Sequence, residues 1–407
     1  MPEELMEFDQ ILVPVDPTLF PVHGDVPAGY HAYALMELSR RILRSVANFG
    51  LSPLHFITQR GPFQDGVTPL DMRLDTRTIQ IVIGAPIHCR EELWDQRWDV
   101  LDFLRPNRSF GVDGTVRPLM YRKWLPGGKM ERGHDMVVTN GDDIVTAHDG
   151  RFIEYGLQAG EQIFVNGHPH FIAAVPNDYT VQLAANYGGL TDTDVAWAYQ
   201  RGWGKRDLYC LLEDGPRGDI GPGPQPFYPQ GFLEVLRFVA HDPVWYGLEQ
   251  EETWELEVDL DELRFDLASD GAYMVAGSTG EWFFARSSFQ QTTDVVYWGT
   301  VGAKPVFTIT GPFTFVSISN DTIDTELELD YTAALGETVT IDVLNLTAVN
   351  DAGDNLLQYL TGDLATWEIS PSPQAPDRVN EITAQLVGGG VGVSGISMIW
   401  RNRYIGL

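Results

Sequence analysis

The sequence predicts a mainly β protein, with two short helices confined to its N-terminal part. Three observations carry this expectation. Beyond residue 250, short apolar-alternating runs, among them TWEIS (366–370), VNEITAQLV (379–387) and GISMIWRNRYI (395–405), recur as expected strands every 10 to 15 residues with turn signals between them. The 407 residues include 41 Gly and 25 Pro, at 43% hydrophobic and only 21% charged, a loop-rich composition with ample material for a core. Tight-turn pairs such as Asn140-Gly141 and Asn166-Gly167 punctuate the middle of the chain.

In chain order, Met6 to Pro21 alternates and carries Pro14, Pro17 and Pro21, which predicts an edge strand and loop. The first helix is expected over residues 29–50, where Tyr30, Leu38, Ile42 and Val46 fall near helical spacing and Gly50 is a natural stop. Strands follow at 55–66 and 72–86, the second placing Ile79, Ile81 and Ile83 on one face at period two. The second helix is expected over 89–104, with Leu93, Leu101 and Leu104 inward, Trp98 or Arg97 beside them, and Pro106 as its stop. Short β segments surround 114–125.

Residues 133–203 have a different texture: five or six short strand-like runs separated by Asn140-Gly141, Asn166-Gly167, Asn177-Asp178 and Gly188-Gly189. They predict a small inserted β-barrel. Excising it joins RKWLPGGK (122–129) to WGKRDLYCLLEDG (203–215) as a hairpin. Three domains are therefore expected: 1–132 with 204–248, the insert 133–203, and a β-sandwich over 249–407.

Charge is distributed unevenly. The formal net charge is -30. Residues 133–203 hold nine acids and two bases, net -7, and residues 249–407 hold 25 acids and six bases, net -19. Such surfaces repel phosphate and anionic lipid, which argues against nucleic-acid gripping by these parts. Cys89 and Cys210 are too few for a disulfide framework and lack metal-type spacing. The acidic start and the lack of a run of about 18 apolar residues predict synthesis in the cytoplasm without membrane insertion.

No catalytic, cofactor-binding or metal residues are expected. His168 and His170, with His134 and His148 nearby, have ligand chemistry, yet Pro169 between the pair and the lack of Cys in the insert favour a surface role. The run 259–271 with Asp259, Asp261, Glu262, Asp266 and Asp270 fails the calcium-loop order of ligands and reads as a solvated strand face. No nucleophile elbow, zinc-binding HExxH or phosphate-cradling loop occurs, and the Arg-Gly-Asp at 217–219 is a tripeptide expected by chance. Asp242-Pro243 with Trp245 and Tyr246 could form an aromatic platform, but closure of a domain core is the expected role.

The order of elements and several short segments resemble the distal tail proteins of long-tailed phages. The segments are TQRGPFQDG (58–66), TRTIQIVI (76–83), FLRPN (103–107), RFVAHDPVWYG (237–247), WGTVGAKPVFTITGPF (298–313), LGETVTIDV (335–343) and ISMIWRNRYIGL (396–407). The resemblance implies an N-terminal ring-forming belt domain and a C-terminal galectin-like sandwich. It further implies a virion protein of the tail tip or baseplate, made in the host cytoplasm and without enzymatic activity. Its copies would form a hexameric ring between the tail tube protein and the hub or fibre protein. The tape measure protein is a further candidate partner, with DNA only in transit. The residues expected at the ring interface are Arg60, Phe63, Asp65, Arg77, Arg206, Asp207, Arg237, Asp242 and Trp245. The alternative is a carbohydrate-binding module, which would need an exposed Trp cluster with polar partners on one sheet face; Trp298 and Trp400 are instead expected in the core.

Overall fold

The computed structural model describes residues 10–14, 30–34, 42–47, 53–59, 68–85, 104, 118–125, 127–201, 204–214, 232–255, 273–276, 282–285, 288–390 and 393–406. The chain divides into two compact units: Met1–Gly127 with Trp203–Gly247 and Tyr404–Leu407, and Gly128–Gly202 with Leu248–Arg403. It is mainly β, as the patterning predicts.

The first unit contains β1 (Gln10–Pro14), β2 (Tyr30–Ala34), β3 (Ile42–Ala47), β4 (Leu54–Gln59), β5 (Thr68–Leu74), β6 (Arg77–Ala85) and β7 (Leu119–Leu125). The strands here labelled β14 (Gly204–Asp214) and β15 (Phe232–Ala240) belong to it too. They pair in the order β2-β1-β7-β14-β15-β6-β3, and β4 pairs with β5. Strand β7 runs antiparallel to β14 from Leu125 opposite Gly204 to Leu119 opposite Cys210, the hairpin expected once the insert is removed. Ile79 and Ile81 are buried with Tyr121, Leu208, Phe238 and Trp245 in this unit's core.

Two expectations for this unit are corrected. Where the first helix was expected, Tyr30–Ala34 and Ile42–Ala47 are strands. Tyr30–Ala34 aligns with Pro14–Gln10, and Ile42–Ala47 with Gly84–Gln80. Those long-range partners decide the conformation of segments whose β-branched Ile42 and Val46 suit a sheet as well as a helix. The strand β1 is interior rather than an edge, since β2 and β7 flank it. Its Pro14 is tolerated because the pairing with β7 ends at Leu12 opposite Met120, before the missing N–H would be needed. The second helix, 89–104, lies outside the described residues except for Leu104, which is buried as expected.

In the second unit, β8 (Met130–Val138), β9 (Ile144–Ala147), β10 (Gln162–Val165), β11 (His168–Asn177), β12 (Thr180–Leu183) and β13 (Asp192–Gln200) form a closed barrel. Its order is β10-β11-β12-β9-β8-β13. The β10–β11 link is the two-residue turn Asn166-Gly167, both at positive φ (50° and 79°), as an Asn-Gly hairpin requires. Inward residues including Met136, Val145, Ile163, Val181 and Tyr199 fill the barrel. Gly133 is required beneath the Trp197 ring, where an added Cβ would lie 2.4 Å from the indole.

The remaining strands are β16 (Trp245–Glu255), β17 (Tyr273–Ala276), β18 (Trp282–Ala285), β19 (Ser288–Val296), β20 (Val306–Thr310), β21 (Phe315–Asn320) and β22 (Thr325–Leu329). They continue with β23 (Thr338–Asp342), β24 (Thr347–Asn350), β25 (Leu360–Gly362), β26 (Val379–Val387) and β27 (Gly395–Tyr404). One sheet runs β16-β27-β20-β23-β24 and the other β19-β26-β21-β22-β25. A single core holds residues of both: Phe307, Ile341 and Met398 from the first, Ile318, Leu329 and Ala384 from the second. That is a β-sandwich. The segment TWEIS (366–370), expected as a strand, contributes only the isolated bridge of Ile369 to Ala303, while β24, β25 and the β17–β18 hairpin went unforeseen. The acidic run 259–271 and the Arg-Gly-Asp tripeptide lie outside the described residues.

Candidate functional site

The residues expected at a ring interface fall into three groups. Arg60, Phe63 and Asp65 lie outside the described residues. Arg77, Arg206, Asp207 and Trp245 are buried inside the first unit. Asp207 accepts from the Arg122 guanidinium through both oxygens, at 2.7 and 2.9 Å, with both side chains almost wholly removed from solvent. This is a fork-to-fork pair placed by direct register, Asp207 facing Arg122 across β14 and β7. Arg77 donates to the Ile405 carbonyl and lies 5.6 Å from the Trp245 ring. Arg206 donates to the Gly406 carbonyl at 3.2 Å and stacks 3.6 Å over Tyr404. These side chains hold the chain's own last residues, and Trp245 lies in the core edge-on to Tyr121.

The third group keeps surface. Arg237 is half exposed and reaches Glu213 only at 3.8 Å, and Asp242 accepts from the Tyr246 hydroxyl. Of the nine residues, these two present accessible polar groups in the described part.

The anchoring of the C-terminus has a measurable consequence. Deleting residues 404–407 removes Tyr404 from the core and the carbonyl acceptors of Arg77 and Arg206. A loss of about 1–3 kcal/mol for each acceptor is expected, read as a lower denaturant midpoint of the first unit.

In the second unit, the sequence-based feature that would mark a sugar-binding sheet face is not found among the described residues. Trp367 and Trp400 are buried, and Trp298 packs against the core between the guanidinium groups of Arg151 and Arg378, at 3.7 and 4.2 Å. Trp400 thus sits in the core, where the sequence placed it, whereas Trp298 is only partly buried at the core's edge. A shallow depression on the outer face of β16, β27 and β20 is lined by Glu251, Glu255, Thr308, Thr310, Ser397 and Val393, with no aromatic ring. His170 has its pKa lowered by burial and then by the neighbouring charge of His168, and its ring lies 5.8 Å from Tyr187. Among the described residues, no group of three His, Cys, Asp or Glu side chains is placed to hold a metal ion.

The most elaborate polar site escaped the sequence entirely. Residues Asn177, Asp178 and Tyr179 form the turn between β11 and β12, and they project from the barrel into the strands of the sandwich. Tyr179 belongs to the sandwich core, and its hydroxyl donates to Glu252 at 2.8 Å. Asn177 donates to the same carboxylate at 3.1 Å. Asp178, fully buried, accepts from the Glu154 N–H, from Gln250 Nε2 at 2.7 Å and from Asn402 Nδ2 at 2.6 Å. Its own N–H donates to Gln250 Oε1 at 3.2 Å. Asn177-Asp178 was legible only as a turn, because the partners Gln250 and Asn402 stand 72 and 224 residues away.

No known protein family matches the chain, and no curated protein matches it. Among solved structures, it is similar to the crystal structure of the SPP1 Dit (gp 19.1) protein, described there as a paradigm of hub adsorption apparatus in phages infecting Gram-positive bacteria. The identity is 10% and the TM-score 0.46, over 98% of this chain and 99% of that one. It is also similar to a chain of the phage P2 baseplate in its activated conformation with Ca, at 8% identity and TM-score 0.36, over 97% and 98% of the two chains.

Proposed function

We propose that this chain is a structural, non-enzymatic component of the tail tip of a long-tailed phage. Six copies close a ring that joins the tail tube to the hub or fibre apparatus. The observation that supports this reading is the order of parts. A β unit whose β7–β14 hairpin brackets a closed barrel is followed by a two-sheet sandwich, the order implied by the resemblance to distal tail proteins. The belt would comprise 1–132 with 204–248 and the galectin-like sandwich 249–407. The barrel, 133–203, would be an addition to the simplest plan.

A ring requires a heterologous interface whose rotation closes on itself, burying on the order of 1,000 Å² or more per neighbour. With Arg77, Arg206, Asp207 and Trp245 engaged internally, the interface falls to Arg237, Asp242 and the segment carrying Arg60, Phe63 and Asp65. Like charges on adjoining copies of a chain with net charge -30 repel. Assembly should therefore strengthen with salt.

Native mass spectrometry of the full chain tests this. A species near six protomers whose share rises with ionic strength is expected. A monomer at every concentration and salt, both alone and with tail tube protein added, would overturn the ring.

A further inference from the structure

The Asn177–Tyr179 turn buries a carboxylate with no Lys or Arg of the described residues paired to it. The titratable and charged groups facing Asp178 are Glu154 from the barrel and Tyr199 on β13, with Tyr179 and Glu252 next along the network and Asp294 beyond Tyr179. No Lys or Arg among the described residues pairs with Asp178. An ionised carboxylate in such a place loses its hydration without a countercharge, whereas the protonated form only needs an acceptor for its hydrogen.

Asn402 supplies that acceptor. Its Oδ1 is buried with no hydrogen-bond partner, while its Nδ2 stands 2.6 Å from Asp178 Oδ2. The two ends of an amide are distinguished only by their partners. One end of this amide is unpartnered in either orientation, so the orientation follows what Asp178 needs. Turned over, Asn402 Oδ1 accepts from a protonated carboxyl, and a 2.6 Å separation suits O–H···O better than N–H···O. Gln250 cannot turn in the same way, because its Oε1 already accepts the Asp178 N–H.

We propose that this turn is a proton-dependent latch: with Asp178 protonated, the barrel is locked onto the strands bearing Gln250 and Asn402, and with Asp178 ionised it is loosened. Burial, then the charge of Glu154, raises the pKa of Asp178 from 3.8 to about 6 against the opposing hydrogen bonds from Glu154, Gln250 and Asn402. Glu252 is raised by burial as well, opposed by its bond from Tyr179. The folded value lies above the unfolded one. The stabilisation is therefore fully present below 3.8 and is lost as pH rises through about 6. A shift of roughly two pH units corresponds to on the order of a hundredfold in the equilibrium.

The test is hydrogen exchange of the full chain between pH 5 and 8, corrected for intrinsic exchange rates and followed over β11 and β12. Wild-type protection of that hairpin should fall about tenfold across the range, the rest of the change between 3.8 and about 6 being complete by pH 5. In Asp178→Asn the fall should flatten to about twofold or less, and in Glu252→Gln most of it should remain. An amide nitrogen cannot accept from Gln250, so the variant's overall protection falls at low pH and the slope is the readout. An unchanged slope in Asp178→Asn, or wild-type protection independent of pH, would overturn the latch. Neither result bears on ring formation.

Discussion

Replacing Arg122 by Met should unfold the first unit under conditions where the wild type is folded. The substitution keeps side-chain volume but leaves the Asp207 carboxyl, 1% exposed, without its two donated bonds. Removing one partner of a buried pair costs about 3–5 kcal/mol, a large part of the total stability of an ordinary domain. The loss is read locally through Cys210, which pairs opposite Leu119 across the same strands. Burial pushes its thiol up to about 12, so it is inert to alkylation while the unit is closed. In Arg122→Met it should label rapidly, with the modified peptide identified by mass. Replacing both Arg122 and Asp207 by apolar residues should recover much of the protection, because the penalty comes from the stranded charge. A single variant as slow to label as wild type would mean that Asp207 finds another donor.

A comparable loss is expected in the sandwich from Trp367→Ala. The indole is fully buried, meets Phe307 edge-on at 5.0 Å and donates to the Ile318 carbonyl at 3.3 Å. Phe307 belongs to one sheet and Ile318 to the other, so one side chain ties the two together. Truncation leaves a cavity, removes the donor to the Ile318 carbonyl and loses an aromatic contact, together about 3–5 kcal/mol. The thermal midpoint of the second unit should drop, and a cavity-sized aromatic such as indole should restore part of it. Trp367→Phe, which keeps the ring contact but not the donor, should lose less.

Much of this fold is local in origin, and that part was readable. Period-two alternation at Ile79 and Ile81, the Asn166-Gly167 turn and the runs VNEITAQLV and GISMIWRNRY state their own conformation, since pleat and turn chemistry act over a few residues. The barrel and the β7–β14 pairing were readable because turns cluster in 133–203 and the flanking segments complement each other as a hairpin. The segments 30–34 and 42–47 misled because apolar residues there fit both periods, and only pairing with β1 and β6 chose between them. Arg77, Arg206 and Asp207 were chosen for an interface as charged residues in strands, with nothing local to show that Gly406, Ile405 and Arg122 already engage them. By itself the sequence determined the β class, the barrel's existence and the repeating strands of the sandwich. Which charges are buried, and that Asp178 meets Gln250 and Asn402, was decided by the tertiary structure. Desolvation and hydrogen-bond partners are properties of residues brought together in space, and neither leaves a mark on the neighbouring sequence.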